Sequence, residues 1–331
     1  MQRCSGNLSR AIAGLCSKKA TVRKLDAFQL VPNGRSASLS SDVWGESIDL
    51  SGARVRTFSI MLAVAAACFA NSAAAEDKDP RPAAGVQDNS FLIEEAYNQE
   101  AGVVQHIMGW QRKRGDWFFN FAQEWPMGGQ DNQFSYSVPY SWIRGDMGQR
   151  FHGIGDLQLN YRRQVLYETA TMPAFAPRVS LILPSGNQSK GLGEGSAGID
   201  VLAPFSKIVT DRVTLHANAG VTHLFDVDGH HPTSFMLGGS AIYAVTRDFN
   251  LMLETLGEWE QSVNTSRELE RDFTFTISPG ARYAMNFPEL ADLQVVLGFA
   301  TPISFSRSND KPDFGFFFYL SFEHNFLPKK K

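Results

Sequence analysis

Residues 314–326 read FGFFFYLSFEHNF, a stretch that would invite aggregation at the end of a soluble chain. Taken at period two, it divides into Phe314, Phe316, Phe318, Leu320, Phe322, His324 and Phe326 on one face, and Gly315, Phe317, Tyr319, Ser321, Glu323 and Asn325 on the other. One face is oily and the other is mixed. Roughly nine to eleven tilted residues carry a strand across a bilayer, and aromatic rings favour its two interfaces. The stretch therefore reads as a transmembrane strand whose solvent is lipid.

Working back from this strand, alternation recurs in segments separated by turn-rich punctuation. The strand candidates are 103–113, 116–126, 134–144, 155–168, 175–184, 196–206, 212–225, 233–246, 248–262, 272–286, 292–305 and 314–326. In the second, Trp117, Phe119, Phe121 and Trp125 oppose Asn120 and Glu124. In the tenth, Phe273, Phe275, Ile277, Tyr283 and Met285 oppose Thr274, Thr276, Ser278 and Arg282. Outer-membrane barrels keep short turns on the periplasmic side and longer loops outside. RGDMGQRFHGIG, PSGNQSKGLGEG, FDVDGHHPT, SVNTSRELERD and SRSNDKPD fall on one side, and the shorter ETATMPA, KIVTDR, VTRDF and MNFPELAD on the other; KRGD and PMGGQDNQ break the rule. Hydrocarbon cannot satisfy backbone amides, so such a sheet closes on itself and leaves no edge. The predicted fold is an all-β transmembrane antiparallel β-barrel of about twelve strands.

The 331 residues carry a net charge of −3 and a mean hydropathy of −0.20. These values exclude a polybasic nucleic-acid binder and a helical membrane protein. One apolar window remains. TFSIMLAVAAACFANSAAA (57–75) follows Arg54 and Arg56 and precedes Glu76, Asp77 and Asp79, the pattern of a secretory signal cleaved before Glu76. The expected organisation is an upstream extension at 1–53 outside the mature protein, a signal peptide at 54–75, an N-terminal periplasmic segment at 76–101, the barrel at 102–326 and a basic tail at 327–331. FLIEEAYNQEA (91–101) is expected to form a short helix within the periplasmic segment. All three cysteines, Cys4, Cys16 and Cys68, precede the expected cut, so a mature chain would hold neither disulfides nor thiolate metal sites.

A charge on the lipid face costs a few kcal/mol at the midplane, so alternate charged positions must look inward. The candidate lumen-lining residues are Glu124, Arg162, Arg178, Asp200, His216, Glu254, Glu258, Arg282 and Glu323. They either form opposing rows that orient a solute or pair with one another and fill a narrow barrel. Asp226, Asp228, His230 and His231 in the loop 226–231 offer divalent-ion ligands, although Asp-Gly and His-Pro are also ordinary turn chemistry. Gly193 to Gly198 matches G-x-G-x-x-G, but the motif lies between a loop and a strand and lacks the helix a dinucleotide needs. No cofactor is expected. His152, His216, His223 and His324 leave room for an outer-membrane hydrolase, yet no serine sits in G-x-S-x-G and no spacing pairs a base with a nucleophile.

FLIEEAYNQEAGVVQHI (91–107), Gly153-Ile154-Gly155-Asp156 leading into LQLNYRRQ, and Leu183-Pro184-Ser185-Gly186 with the glycine-rich run to Gly198 resemble one bacterial family. It is the outer-membrane β-barrel family named for the meta-pathway of phenol degradation, whose members are described as transporters. The resemblance spans residues 90–326. It implies a Gram-negative outer-membrane location and passage of small, often hydrophobic molecules, and it brings no set of binding residues. The expected function is an outer-membrane channel or transporter for small molecules, hydrophobic or aromatic ones included, rather than an enzyme. A phospholipase-like barrel and a structural or surface-binding barrel are the alternatives. Expected partners are outer-membrane lipid, an unnamed small solute, and the barrel-assembly machinery engaging the C-terminal strand that ends at Phe326; no nucleic acid is expected.

Overall fold

The computed structural model describes residues 86, 88–113, 115–145, 148–264 and 266–326. The upstream extension, the signal peptide and the basic tail expected from the sequence lie outside them. Sixteen strand segments make twelve barrel strands: β1 (Val103–Lys113), β2 (Asp116–Pro126), β3 (Asn132–Arg144), β4 (Arg150–Ile154) continuing as β5 (Leu157–Arg163), β6 (Ala174–Phe175) with β7 (Arg178–Leu183), β8 (Gly198–Thr210), β9 (Val213–Leu224), β10 (Thr233–Ala244), β11 (Phe249–Val263), β12 (Leu269–Phe287), β13 (Leu293–Ala300) with β14 (Ile303–Ser306), and β15 (Asp313–Phe314) with β16 (Phe316–Asn325). Each pairs antiparallel with its neighbours, and β1 returns to β16 with Val103 opposite Asn325 and Trp110 opposite Phe318. The sheet is closed.

The interruptions have local causes. Pro177 and Pro302 sit at two of the breaks and cannot donate to the ladder. Between β4 and β5, Gly155 turns its N–H to the Pro139 carbonyl (2.9 Å).

Alternation sorts the two faces. In β16, Phe316 and Phe318 are exposed while Phe317, Tyr319 and Ser321 are buried, so the oily face of the opening stretch faces outward. Leu237, Leu251, Leu253, Trp259 and Leu297 extend the same exposed apolar skin around the wall. Inside, the buried side chains are largely polar: Gln105, Gln133, Asn160, Ser180, Asn218, Thr274 and Thr276. Leu253, 51% exposed and in mid-β11, should tolerate no charge. Leu253→Arg is expected to destabilise the lipid-embedded barrel by about 2–4 kcal/mol in reversible denaturant unfolding, and an unchanged midpoint would contradict the outward assignment.

The fourth barrel strand departs from expectation. It runs 150–163 rather than 155–168, so the loop 145–149 is short and the connection 164–173, at the end where β1 begins and β16 finishes, is long. Loop length is therefore sorted less cleanly than the sequence suggested. Gly153 and Gly155 read as turn punctuation, yet β4 pairs with β3 straight through Gly153, opposite Ser141.

Residues 91–101 do not form the expected helix. Residues 88–99 run in an extended, non-repetitive path inside the lumen and are buried or half-buried throughout.

Candidate functional site

The inward segment forms a hoop. From the start of β1 it touches in turn β3, the region after β5, β8, β9, β11 and the β12–β16 wall, and it comes back to β1. Gln105 of β1 fastens both ends: its Oε1 accepts from Gln99 Nε2 (2.6 Å), and its Nε2 donates to Asp88 Oδ1 (2.8 Å).

A helix would pair the hoop's backbone groups internally. In this chain wall side chains pair them instead. Glu254 Oε1 accepts from the N–H groups of Leu92 (2.7 Å) and Ile93 (3.2 Å). Asn218 Oδ1 accepts from Glu94 N (2.7 Å), Ser206 Oγ from Ala96 N (2.7 Å), Gln164 Oε1 from Asn98 N (3.1 Å) and Gln133 Oε1 from Gln99 N (2.7 Å). Carbonyls are met likewise. Arg282 Nη1 donates to Asp88 O (2.6 Å) and Asn89 O (2.7 Å), Asn218 Nδ2 to Glu94 O (2.9 Å), Gln164 Nε2 to Ala96 O (2.8 Å), and Arg162 to Glu95 O (3.1 Å) and Tyr97 O (2.9 Å). Each group left unpaired here would cost about 1–3 kcal/mol, which is why so polar a wall can hold a bare backbone.

Two apolar side chains complete the docking. Ile93 packs with Leu202, Met236 and Leu256, and a Cβ on Gly238 would come within 2.4 Å of its Cδ1. Phe91 packs with Phe317 and Tyr319 at ring-centroid distances of 5.5 and 5.3 Å.

The nine candidate lumen residues all occupy the inward alternation, and six of them meet the hoop or its charges. Glu94 of the hoop ion-pairs with Arg178 and lies 3.8 Å from Arg162. Arg162 is 3.6 Å from Glu124, and Arg178 is 2.9 Å from Asp200. A chain of alternating charge thus crosses from β2 to β8 by way of the hoop. Glu254 and Arg282 hold hoop backbone as described. Burial raises the Asp88 carboxyl above the ordinary aspartate range, and Arg282 pulls against the shift. Of the remaining three, His216 Nδ1 bonds Ser206 Oγ (2.7 Å), Glu258 is buried toward the far mouth, and Glu323 is half-buried opposite Gln105. The amides Gln105, Gln133, Gln164 and Asn218, which share the holding with these groups, carry no charge and escape a search for titratable groups.

The hoop separates two cavities. One of about 310 Å³ lies toward the end where β1 begins, lined by Glu95, Tyr97, Thr214, Ile242 and Arg282. The other, about 50 Å³, lies toward the far mouth among Gln158, Thr222, Met236 and Glu258. Above it the loop 184–197 folds inward. Asp156 accepts from Gly186 N (2.9 Å) and Glu194 N (2.7 Å), and a Cβ on Gly193 would fall 2.4 Å from Asp156 Oδ1. Asp156→Asn keeps one acceptor and turns the other oxygen into an amide nitrogen that cannot accept, losing one of two charge-assisted bonds, each about 1.5–3 kcal/mol. It should raise the rate of proteolysis within 184–197 in intact protein, whereas an unchanged rate would show that Asp156 does not hold the loop.

The other motifs resolve into structure. Asp226 Oδ1 accepts from Gly229 N (2.8 Å), and His230 lies 2.9 Å from Arg267 O. Among the described residues no three His, Cys, Asp or Glu side chains are placed to hold a metal. The glycine run 193–198 leads into strand β8. His216 has Ser206 as its only hydrogen-bond partner among the described residues, so this Ser–His pair lacks the third group that would orient a base.

No curated protein matches the chain. Among solved structures it is similar to an outer membrane channel from Pseudomonas putida F1, at 13% identity and a TM-score of 0.54 over 69% of this chain and 97% of that one. It is also similar to the KdgM porin, at 11% identity and a TM-score of 0.41 over 67% and 99%. The first likeness shows the barrel fold. The family model described as "Putative MetA-pathway of phenol degradation" matches residues 96–302. With more than half of its length under that model and a closed barrel of the outer-membrane type, the chain belongs to this family.

Proposed function

We propose that the protein is an outer-membrane channel for small molecules, aromatic ones among them, and that the hoop closes it at rest. The observation that carries this reading is how the hoop is held: by wall side chains, with no ladder bond to any strand. It can leave without opening a sheet edge, and the wall it leaves is polar enough to take water. The family's name and the channels of like fold support the same role. The Ser206–His216 pair faces the lumen behind the hoop, away from lipid, and so lends little to a phospholipase. The C-terminal strand, with Phe326 packed at a tilt against Trp125 at 5.3 Å, fits an assembly signal read before closure.

Uptake of labelled small aromatic compounds into proteoliposomes tests the proposal. Entry should exceed that into protein-free vesicles and should rise when the hoop is removed. Equal entry with and without protein would overturn it.

A further inference from the structure

Of the hoop side chains that enter the wall, two sit side by side and share a partner, Tyr319. Most of the hoop is held through its backbone, which any sequence would offer. Phe91 and Asp88 are held through their side chains, in adjoining sockets between β12, β13, β16 and β1.

The Phe91 socket is shaped for a ring. A Cβ on Gly298 would lie 2.4 Å from Phe91 Cε1 and Cζ, and one on Gly280 would lie 2.9 Å from its Cε2. Glycine inside a strand weakens it and marks a close approach, and two neighbouring strands accept that cost here to admit one aromatic face. Phe317 and Tyr319 cover the ring, and Val296, Ala300 and Ile107 complete the buried cluster. The adjoining socket is shaped for a carboxylate. Asp88 accepts from Tyr319 Oη, Ser321 Oγ and Gln105 Nε2, with the Arg282 guanidinium bonded to the carbonyls of residues 88 and 89. Tyr319 joins the two sockets, its ring against Phe91 and its hydroxyl on Asp88.

We infer that these joined sockets are a solute subsite of the channel that takes an aromatic carboxylate on a short aliphatic tether, with Phe91 and Asp88 as its built-in stand-in. The inference rests on the channel reading above. A tethered stand-in competes at an effective concentration in the millimolar range, so free solute binds weakly while the hoop is docked, and its apparent affinity falls with the fraction of sites left vacant. Solute and hoop therefore exclude one another, and solute favours the open state.

The test uses the full chain in nanodiscs, titrated with phenylacetate, phenylpropanoate and phenylbutanoate. Phe91→Ala with Asp88→Ala vacates the sockets and should bind at least one of these roughly tenfold more tightly than the parent chain. Adding Gly298→Ala should cancel the gain, and adding Tyr319→Phe should erase the preference for the carboxylate over the matching alcohol. Absence of binding, or binding indifferent to Gly298→Ala, overturns the inference. Should the vacated variant fail to fold, Ser90→Cys in the otherwise unaltered chain replaces it: phenylpropanoate should speed modification of this buried thiol several-fold and phenylpropanol should not, and equal rates overturn the inference. Failure here with conduction intact removes the subsite alone, whereas a barrel that never conducts removes the channel reading and leaves a binding result standing.

Discussion

Deleting residues 86–99 should convert a barrel that flickers between closed and open into one that conducts steadily in planar bilayers, with its fold unchanged. The strand ladder is complete without the hoop, because every barrel strand is paired on both sides by other strands. Removal exposes Glu254, Asn218, Gln133 and Arg162 to water, and polar groups of this kind lose nothing by rehydration. Flicker in the parent chain follows from magnitudes. Ordering each hoop residue costs about 1–2 kcal/mol, which its hydrogen bonds at about 1 kcal/mol net each and the burial of Phe91 and Ile93 at about 1.5–3 kcal/mol each roughly offset, so docking is only marginally favourable. The deletion variant should still migrate differently boiled and unboiled, as a closed barrel does. A silent deletion variant with that gel shift intact would show that something other than the hoop blocks the lumen.

The largest effect of a single substitution is expected at Arg162. This buried guanidinium donates to Glu95 O, Tyr97 O and Asn98 Oδ1, and it neutralises Glu94 and Glu124. Removing one partner of a buried charge cluster costs about 3–5 kcal/mol, enough to reverse a marginal equilibrium. Arg162→Ala should therefore hold the channel open for most of the recording, close to the behaviour of the hoop deletion. Arg162→Lys should rescue it poorly, because an ammonium cannot reproduce the planar fork that reaches several acceptors. Barrel unfolding should shift far less than open probability. Closure as firm as in the parent chain would remove Arg162 from the latch.

Much of the wall was legible in the sequence, since period-two alternation is a local signal and lipid enforces it at every outward position. Trp117, Phe275, Leu297 and Phe318 announce their face whatever their neighbours do. The fourth strand slipped because Gly153 and Gly155 resemble a turn, and only the pairing with β3 shows that the ladder runs through Gly153. The hoop was not legible. FLIEEAYNQEA has a composition that suits a helix, and what prevents one is a set of acceptors more than thirty residues away, such as Gln133 and Glu254. A sequence signal for it did exist: Gln105, Gln133, Gln164 and Asn218 are amides at inward positions, and an amide offers a donor and an acceptor at once, as a peptide backbone requires.

Asp88 has one more consequence, because its partners stand on the first and last strands: Gln105 on β1, Tyr319 and Ser321 on β16. The carboxyl therefore stitches the closing seam from within. A nascent sheet that has not yet zipped first strand to last offers only half of that clamp. The N-terminal thread can lock home only as the cylinder completes, so the finished protein emerges from assembly with its bore already stoppered.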